Sequence, residues 1–488
     1  MPKKTVLTVV VFAGLILAPQ VIPALQNYKS LDPHDIPLVW SFPVPKNAKA
    51  VEDASLDDMR TRRLTVTAPR NLQDPTHELD HFYAALLHGG SVRIAHYGDS
   101  PTTADLITAD TRAMLQKEFG DGGTGFVLIA RPWAWYNHRG VDMDGSGWKI
   151  DVAGSTELKD GMHGLGAASF RGSTGAAARW TLKDGQHRHV DVSYLSQPEG
   201  GTFAFEADGQ ELGTVDTSSE TRAPGFASFD LPPGSKHFAV RVTSGSVRLY
   251  GADFRKATKG VVYSSLGVNG ANVTLLSRAM NGNHWTAQLH HYNPDLVVLA
   301  YGTNESGYPK FVDNTWGPEL KLAVKRVRTA LPNVSILLMS PMDRGERNKA
   351  GEIDTIAAMP RLVKIESKVA GDEGVAFFNT FQAMGGEGTM ARWYTSEPRL
   401  VGADYIHPMP GGAKIVGELL YSALRDGYND YKLRQLREQN VAGNQPALAG
   451  NQTALAGNQT APKTAAQSGH KTADTGVTKK AAEGGDRK

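Results

Sequence analysis

The 488-residue chain is long enough for more than one core, and its 40% apolar and 21% charged residues are ordinary globular chemistry. A formal net charge of +2 with no basic stripe gives nucleic-acid binding no electrostatic support. The absence of cysteine removes disulfides, zinc–thiolate sites and cysteine nucleophiles together.

Lys3 and Lys4 precede an apolar run from Val6 to Ala18, with Pro19 and Pro23 following. A short basic stretch before a short apolar run has the form of a secretory signal. The run is shorter than the roughly 20 apolar residues that a spanning helix needs. Ala24 suits the end of a cleavage site, but Ile22 is large for its place two positions earlier. Residues 1–26 therefore read either as a cleaved signal peptide or as an uncleaved membrane anchor. Both imply export, to the periplasm or cell envelope. Residues 27–75 are rich in Pro, Asp and Lys without a sustained period, and read as an extended segment.

The spacing of Leu79, Phe82, Tyr83, Leu86 and Leu87 predicts an amphipathic helix over 77–88, closed by Gly89 and Gly90. Residues 91–97 form a strand, 99–101 a turn and 104–119 a helix. Gly120 to Gly125 read as a glycine-rich loop. From 141 to 258 helical periods vanish, and short alternating runs at 189–195, 202–207, 226–231, 237–242 and 246–254 are separated by turn signals such as Asp208-Gly209. That texture predicts a β-sandwich inserted between two parts of one domain. Strands then resume at 260–266, 295–301, 334–339 and 375–381, alternating with helices at 271–280, 318–330, 359–370 and 411–425. Alternation of this kind predicts an α/β core, 76–140 plus 259–435, with a parallel sheet covered on both faces. The near copies Pro446–Gln452 and Thr453–Gln459 are small and polar, so 436–488 reads as a disordered low-complexity tail.

A hydroxyl nucleophile needs exposure on a sharp turn, a base for its proton and donors for the oxyanion. Ser100 follows a strand and precedes a helix, in Gly98-Asp99-Ser100. Alone, that tripeptide equally describes a turn with a helix cap. His407 lies three residues after Asp404, where a carboxylate can orient its ring and stabilise the imidazolium. A surface loop with an unrelated Asp and His would look the same. Asn304 follows a buried strand, in Gly302-Thr303-Asn304-Glu305, and can donate from its amide or serve as a turn residue. Gly270, in Gly267-Val268-Asn269-Gly270, can offer a bare backbone N–H or simple turn chemistry. What joins the four is their order and their common place at the carboxyl ends of predicted strands.

In that order the blocks resemble the SGNH, or GDSL-type, hydrolase superfamily, over roughly 76–150 and 259–428. Pro101 departs from the Leu or Ile usual after the serine. The resemblance implies a three-layer α/β/α core, with Ser100 as nucleophile, His407 as base and then acid, and Asp404 as its orienter. It also implies an oxyanion hole of the Ser100 N–H, the Gly270 N–H and the Asn304 amide, and no metal or other cofactor. A core interrupted after its first block by a β-domain is similar to bacterial peptidoglycan O-acetylesterases, in which the insert resembles a carbohydrate-binding module. The run Gly120–Phe126 and the segment from Gly260 to Gly270 also look like that subgroup. The expected partner is an acetylated cell-surface glycan, peptidoglycan or exopolysaccharide. Trp133, Trp135 and Tyr136 can stack on its sugar rings or pack the core against the insert. Two alternatives remain open on sequence: a polysaccharide O-acetyltransferase with the same triad, and a non-catalytic carbohydrate-binding scaffold.

Overall fold

The computed structural model describes residues 70–154 and 157–443. The predicted leader or anchor at 1–26, most of the segment 27–75 and the tail beyond 443 lie outside the described residues. The described chain up to Tyr431 forms one compact unit.

In chain order the strands are β1 (Leu72–Gln73), β2 (Ser91–Gly98), β3 (Asp121–Leu128), β4 (Val141–Val152), β5 (Ala168–Leu182), β6 (His187–Ser196), β7 (Thr202–Ala207), β8 (Gln210–Asp216), β9 (Ala223–Asp230), β10 (His237–Ser244), β11 (Ser246–Lys256), β12 (Gly260–Gly267), β13 (Leu296–Ala300), β14 (Ser335–Met339), β15 (Gly345–Arg347), β16 (Ile353–Thr355) and β17 (Ala376–Phe378). The helices that frame the site are α1 (Asp80–His88), α2 (Ser100–Thr103), α3 (Ile107–Phe119), α4 (Gly282–Tyr292), α5 (Gly317–Ala330), α6 (Met359–Glu373), α7 (Thr380–Ala383), α8 (Thr389–Thr395) and α9 (Pro410–Gly443). The last helix runs past 436, where the tail was expected to begin.

β17, β14, β13, β2, β12 and β3 lie side by side in that order, each parallel to the next. Alternate residues explain the layers. Val92 and Ile94 of β2, Leu296 and Val298 of β13, and Leu337 and Met339 of β14 are buried with α1, α3 and α9. Ala95 and Tyr97, Val297 and Leu299, and Ile336 and Leu338 are buried on the other side with α4, α5 and α6. A sheet with both faces covered needs the continuous apolar runs seen at 295–301 and 334–339. Each buried Val, Leu, Ile or Met side chain among them contributes about 1.5–3 kcal/mol by leaving water. This is the α/β arrangement that the alternation of elements predicts.

The strands between β3 and β12 are antiparallel and continue the same 15-stranded sheet. β11 pairs with β3, aligning Phe254 with Gly125, and then with β5 and β6. The core also runs through without a break: Phe170, Trp180, Phe203 and Phe205 belong to the same buried cluster as Tyr97 and Leu299. No gap marks the boundaries expected at 141 and 258.

Three local expectations differ. The glycine run from Asp121 is strand β3, not a loop. A side chain at Gly122 would stand 2.8 Å from the Gly260 carbonyl oxygen, and one at Gly123 would stand 2.6 Å from that of Phe254. The glycines are what let β3 fit between β12 and β11. The predicted helix 271–280 is only a wide helical turn at Leu275–Ala279, and the regular helix begins at Gly282, where the Asn281 side chain accepts the His284 N–H. The strand read at 375–381 stops at Phe378, because the Asn379 side chain caps the following helix by accepting the Gln382 N–H.

Candidate active site

β2 delivers the first component. Its last residue is Gly98, and Asp99 turns the chain into the short helix α2, which Ser100 opens. The Ser100 N–H belongs to the first turn, where amides have no partner within the helix. Thr103 ties that turn down: its Oγ1 donates to the Gly267 carbonyl at 2.8 Å and accepts from Trp133 Nε1 at 3.1 Å. Asp105, just beyond, accepts two hydrogen bonds from the buried Arg112 guanidinium, at 2.6 and 3.1 Å, and the Arg139 N–H at 2.7 Å. The nucleophile turn is therefore fixed against both β12 and the loop 131–139.

The loop before α9 delivers the base. The Gly402 N–H donates to the His407 carbonyl at 2.8 Å, closing a tight turn with Tyr405 at φ +59°. Inside it, His407 Nδ1 meets Asp404 Oδ2 at 2.7 Å, and Asp404 Oδ1 accepts the N–H groups of Ile406 and His407 at 3.0 and 3.1 Å. His407 Nε2 stands 2.7 Å from Ser100 Oγ. Burial pushes the Asp404 carboxyl up, but the bonds from His407 and the two backbone amides outweigh it and hold it below the usual carboxylate range. The carboxylate thus stays charged and fixes the ring with Nε2 toward the serine. The side chains of Asp404 and His407 are each 48% exposed, so the reacting groups face solvent.

The loops after β12 and β13 hold the remaining components. Val268 to Ala271 form a turn, with the Ala271 N–H donating to the Val268 carbonyl at 3.1 Å and Gly270 at φ +71°. The Val268 N–H donates to the Gly98 carbonyl at 3.0 Å, which anchors this turn to the end of β2. Asn304 Nδ2 donates to the Ala271 carbonyl at 2.7 Å, leaving the second hydrogen of the same nitrogen for another acceptor. The structure thus brings Ser100, Asp404 and His407 into one hydrogen-bonded line and sets Asn304 against the Gly270 turn.

The aromatic cluster does not act as one. Tyr136 is buried, its hydroxyl accepting the Leu128 N–H at 3.0 Å, and half-buried Trp133 packs edge-on against it. These two are packing residues. Only Trp135, 72% exposed, presents a free ring. Sequence reasoning missed Thr103, Asp105, Arg112 and Glu305, whose parts depend on partners that no local spacing rule announces. Among the described residues, no group of three or more His, Cys, Asp or Glu side chains is placed to hold a metal ion.

Residues 238–415 match the GDSL-like lipase/acylhydrolase family. That stretch contains Gly270, Asn304, Asp404 and His407 but starts beyond Ser100, which β4–β11 separate from the rest in sequence. No curated protein matches the chain. Among solved structures, a peptidoglycan O-acetylesterase is 22% identical, with a TM-score of 0.63, and the match covers 74% of this chain and 99% of that one. A family two carbohydrate esterase from Clostridium thermocellum is 14% identical, covering 57% of this chain and 100% of that one, with a TM-score of 0.25. A salicylyl-acyltransferase of a tetracycline biosynthetic pathway is 13% identical, covering 59% and 98%, with a TM-score of 0.26. On sequence signature and fold together, the chain resembles the GDSL-like acylhydrolases: residues 238–415 carry that family's signature, and the fold is shared with the peptidoglycan O-acetylesterase.

Proposed function

We propose that this chain removes O-acetyl groups from a bacterial cell-surface glycan, with Ser100 carrying the acetyl group between sugar and water. Ser100 Oγ attacks the acetyl carbonyl carbon while His407 Nε2 takes its proton. The negative charge formed on the carbonyl oxygen is held by the Ser100 N–H, the Gly270 N–H and the Asn304 amide. His407 then gives the proton to the departing sugar oxygen, leaving acetyl-Ser100. Water attacks that ester, its proton again passing to His407 and then to Ser100 Oγ, and acetate leaves. Asp404 stabilises the imidazolium in both halves.

The observation that carries the reading is the likeness to the peptidoglycan O-acetylesterase, which extends over 99% of that chain and 74% of this one. The open setting of Asp404 and His407 suits an acetyl group on a polymer, which cannot enter a closed pocket. The exposed large side chains support it too. Trp135, Tyr308 and Met409 belong to the few such residues among those described. Trp135 lies on the loop tied to α2, Tyr308 lies four residues past Asn304 and Met409 two past His407. Exposed ring faces and a flexible thioether on the site's loops fit the apolar faces of sugars. The basic and apolar start of the chain supports export to the envelope, where such a glycan lies.

The test is acetate release from O-acetylated peptidoglycan and from acetylated exopolysaccharide, with Ser100→Ala beside the wild type. Serine-dependent acetate release is expected from one of them. Acetate that appears on an added glycan instead of in solution would reassign the chain to acetyl transfer, and glycan binding without any turnover would reassign it to a binding role.

A further inference from the structure

We propose that Glu305 is a positioning residue for the oxyanion hole, its carboxylate clamping the loop that carries Gly270 to the loop that carries Asn304. The proposal rests on the serine-ester reading above and gives a part to the acidic residue that closes the Gly302-Thr303-Asn304-Glu305 block.

The geometry is specific. Glu305 is 2% exposed. Its Oε1 accepts the Val273 N–H at 2.8 Å, three residues beyond Gly270, and its Oε2 accepts the Gly302 N–H at 3.0 Å, two residues before Asn304. One carboxylate thus bridges two loops that follow different strands, β12 and β13. The bond from Asn304 Nδ2 to the Ala271 carbonyl crosses the same gap a few residues away. The two loops are thus joined twice, once by the Glu305 carboxylate and once by the Asn304 amide.

Gly302 shows why the loop needs holding. It lies at φ +120°, and a side chain there would meet Leu362 Cδ2 at 2.9 Å and Pro341 Cδ at 3.0 Å. Its backbone has a conformation that only glycine adopts readily, and Glu305 takes up the amide which that conformation turns inward. Burial pushes the Glu305 carboxyl up to about 7, and the Val273 N–H bond draws it back. A buried carboxyl of that kind costs stability unless its bonds are kept, which is the signature of a group retained for what it positions.

A clamp of this kind fixes donors that matter in the transition state, so its loss should lower kcat and leave KM in place. The experiment measures kcat and KM for p-nitrophenyl acetate, well below each variant's melting temperature, in wild type, Ser100→Ala, Glu305→Gln, Glu305→Asp, Asn304→Ala and Glu305→Gln combined with Asn304→Ala. Glutamine keeps the shape but turns an NH2 group toward one of the two amides. The expected result is a fall in kcat of about 10–100-fold for Glu305→Gln, less than the full loss of an oxyanion donor, with KM changed by less than about twofold. The combined variant should be no more than about threefold below Asn304→Ala, since both changes act on one loop. Glu305→Asp, with its shorter reach, should lie between wild type and glutamine. If both Glu305 variants keep kcat within about twofold of wild type, or if the combined loss is the full product of the two, the proposal is overturned. Should Glu305→Gln not fold, Glu305→Asp decides by the same criterion, and loss of the fold in both would make the carboxylate a staple of the fold and also overturn it. A wild type no faster than Ser100→Ala on this and on glycan esters would sink the serine-ester reading itself, a different outcome from a serine-dependent enzyme indifferent to Glu305.

Discussion

Ser100 Oγ and His407 Nε2 are 2.7 Å apart although 307 positions separate the residues in the chain. A hydroxyl and an imidazole at that distance, with the ring's other nitrogen on Asp404, form a proton path with one direction. Ser100→Ala and His407→Ala are each expected to lower kcat on an aryl acetate by at least about 10⁴-fold. Both positions are partly solvent-facing, so melting temperatures should stay close to wild type. The losses should not multiply in the double variant, because the two groups act as a unit. Steady-state kinetics and a thermal melt check this, and a double variant far worse than either single one would speak against a shared proton path.

Asn304 carries a different kind of load. Its Nδ2 already donates to the Ala271 carbonyl at 2.7 Å, so the amide is held in place before any substrate arrives. Pre-organised donors cost no reorganisation as charge develops. Asn304→Ala is expected to lower kcat about 10²–10³-fold with little change in KM. A rise in KM at constant kcat would assign the amide to ground-state binding instead.

The site residues were legible for a local reason. Gly98-Asp99-Ser100 and Asp404 to His407 are turns whose chemistry lies within four residues, and both fall where a strand hands over to a helix. Residues whose parts depend on distant partners were not legible. Nothing near Glu305 in sequence announces that Val273 will donate to it, and nothing near Thr103 announces that Gly267 will accept its hydroxyl. The same limit hid β3. Its glycines look like a loop until Gly260 and Phe254 are seen to occupy the space that side chains would need. The long β5 was also missed, since its small residues Gly172, Gly175 and Ala176 to Ala178 carry no clear alternation. Helix α4 was missed because its polar and histidine-rich sequence masks the buried face of Trp285 and Leu289.

Asp99, the residue before the nucleophile, supplies a pH prediction. It is 3% exposed, and Oδ2 has no hydrogen-bond partner. Burial pushes its carboxyl up to about 6, against hydrogen bonds from Thr303 and the charge of His407 that draw it down. The folded state therefore keeps this proton over a range where the unfolded chain, near 3.8, has lost it. The resulting stabilisation is complete below about pH 4 and is lost as pH rises to about 6. Asp99→Asn removes that loss, so the variant should gain on the order of 1–3 kcal/mol relative to wild type between pH 4.5 and pH 8. Asp404 has the opposite sign, its contribution being lost in acid, but it is common to both chains. Melting temperatures at the two pH values check the point, and parallel slopes for the two proteins would show that Asp99 is not the group responsible.

Trp135→Ala tests sugar binding apart from ester chemistry. Its ring is exposed, while its loop is tied to the nucleophile turn through Trp133 Nε1 on Thr103 and the Asn137 N–H on the Thr103 carbonyl at 3.2 Å. A ring on a loop tied to the nucleophile turn, but outside the triad, can bind sugar without touching the acetyl group. Trp135→Ala is expected to raise KM for acetylated glycan about three- to tenfold, the scale of one aromatic contact, and to leave p-nitrophenyl acetate hydrolysis unchanged. Trp133→Ala should behave differently, loosening the Thr103 anchor and lowering kcat on both substrates. Equal losses on both substrates for Trp135→Ala would place its ring in the support of the nucleophile turn and remove it from the glycan surface.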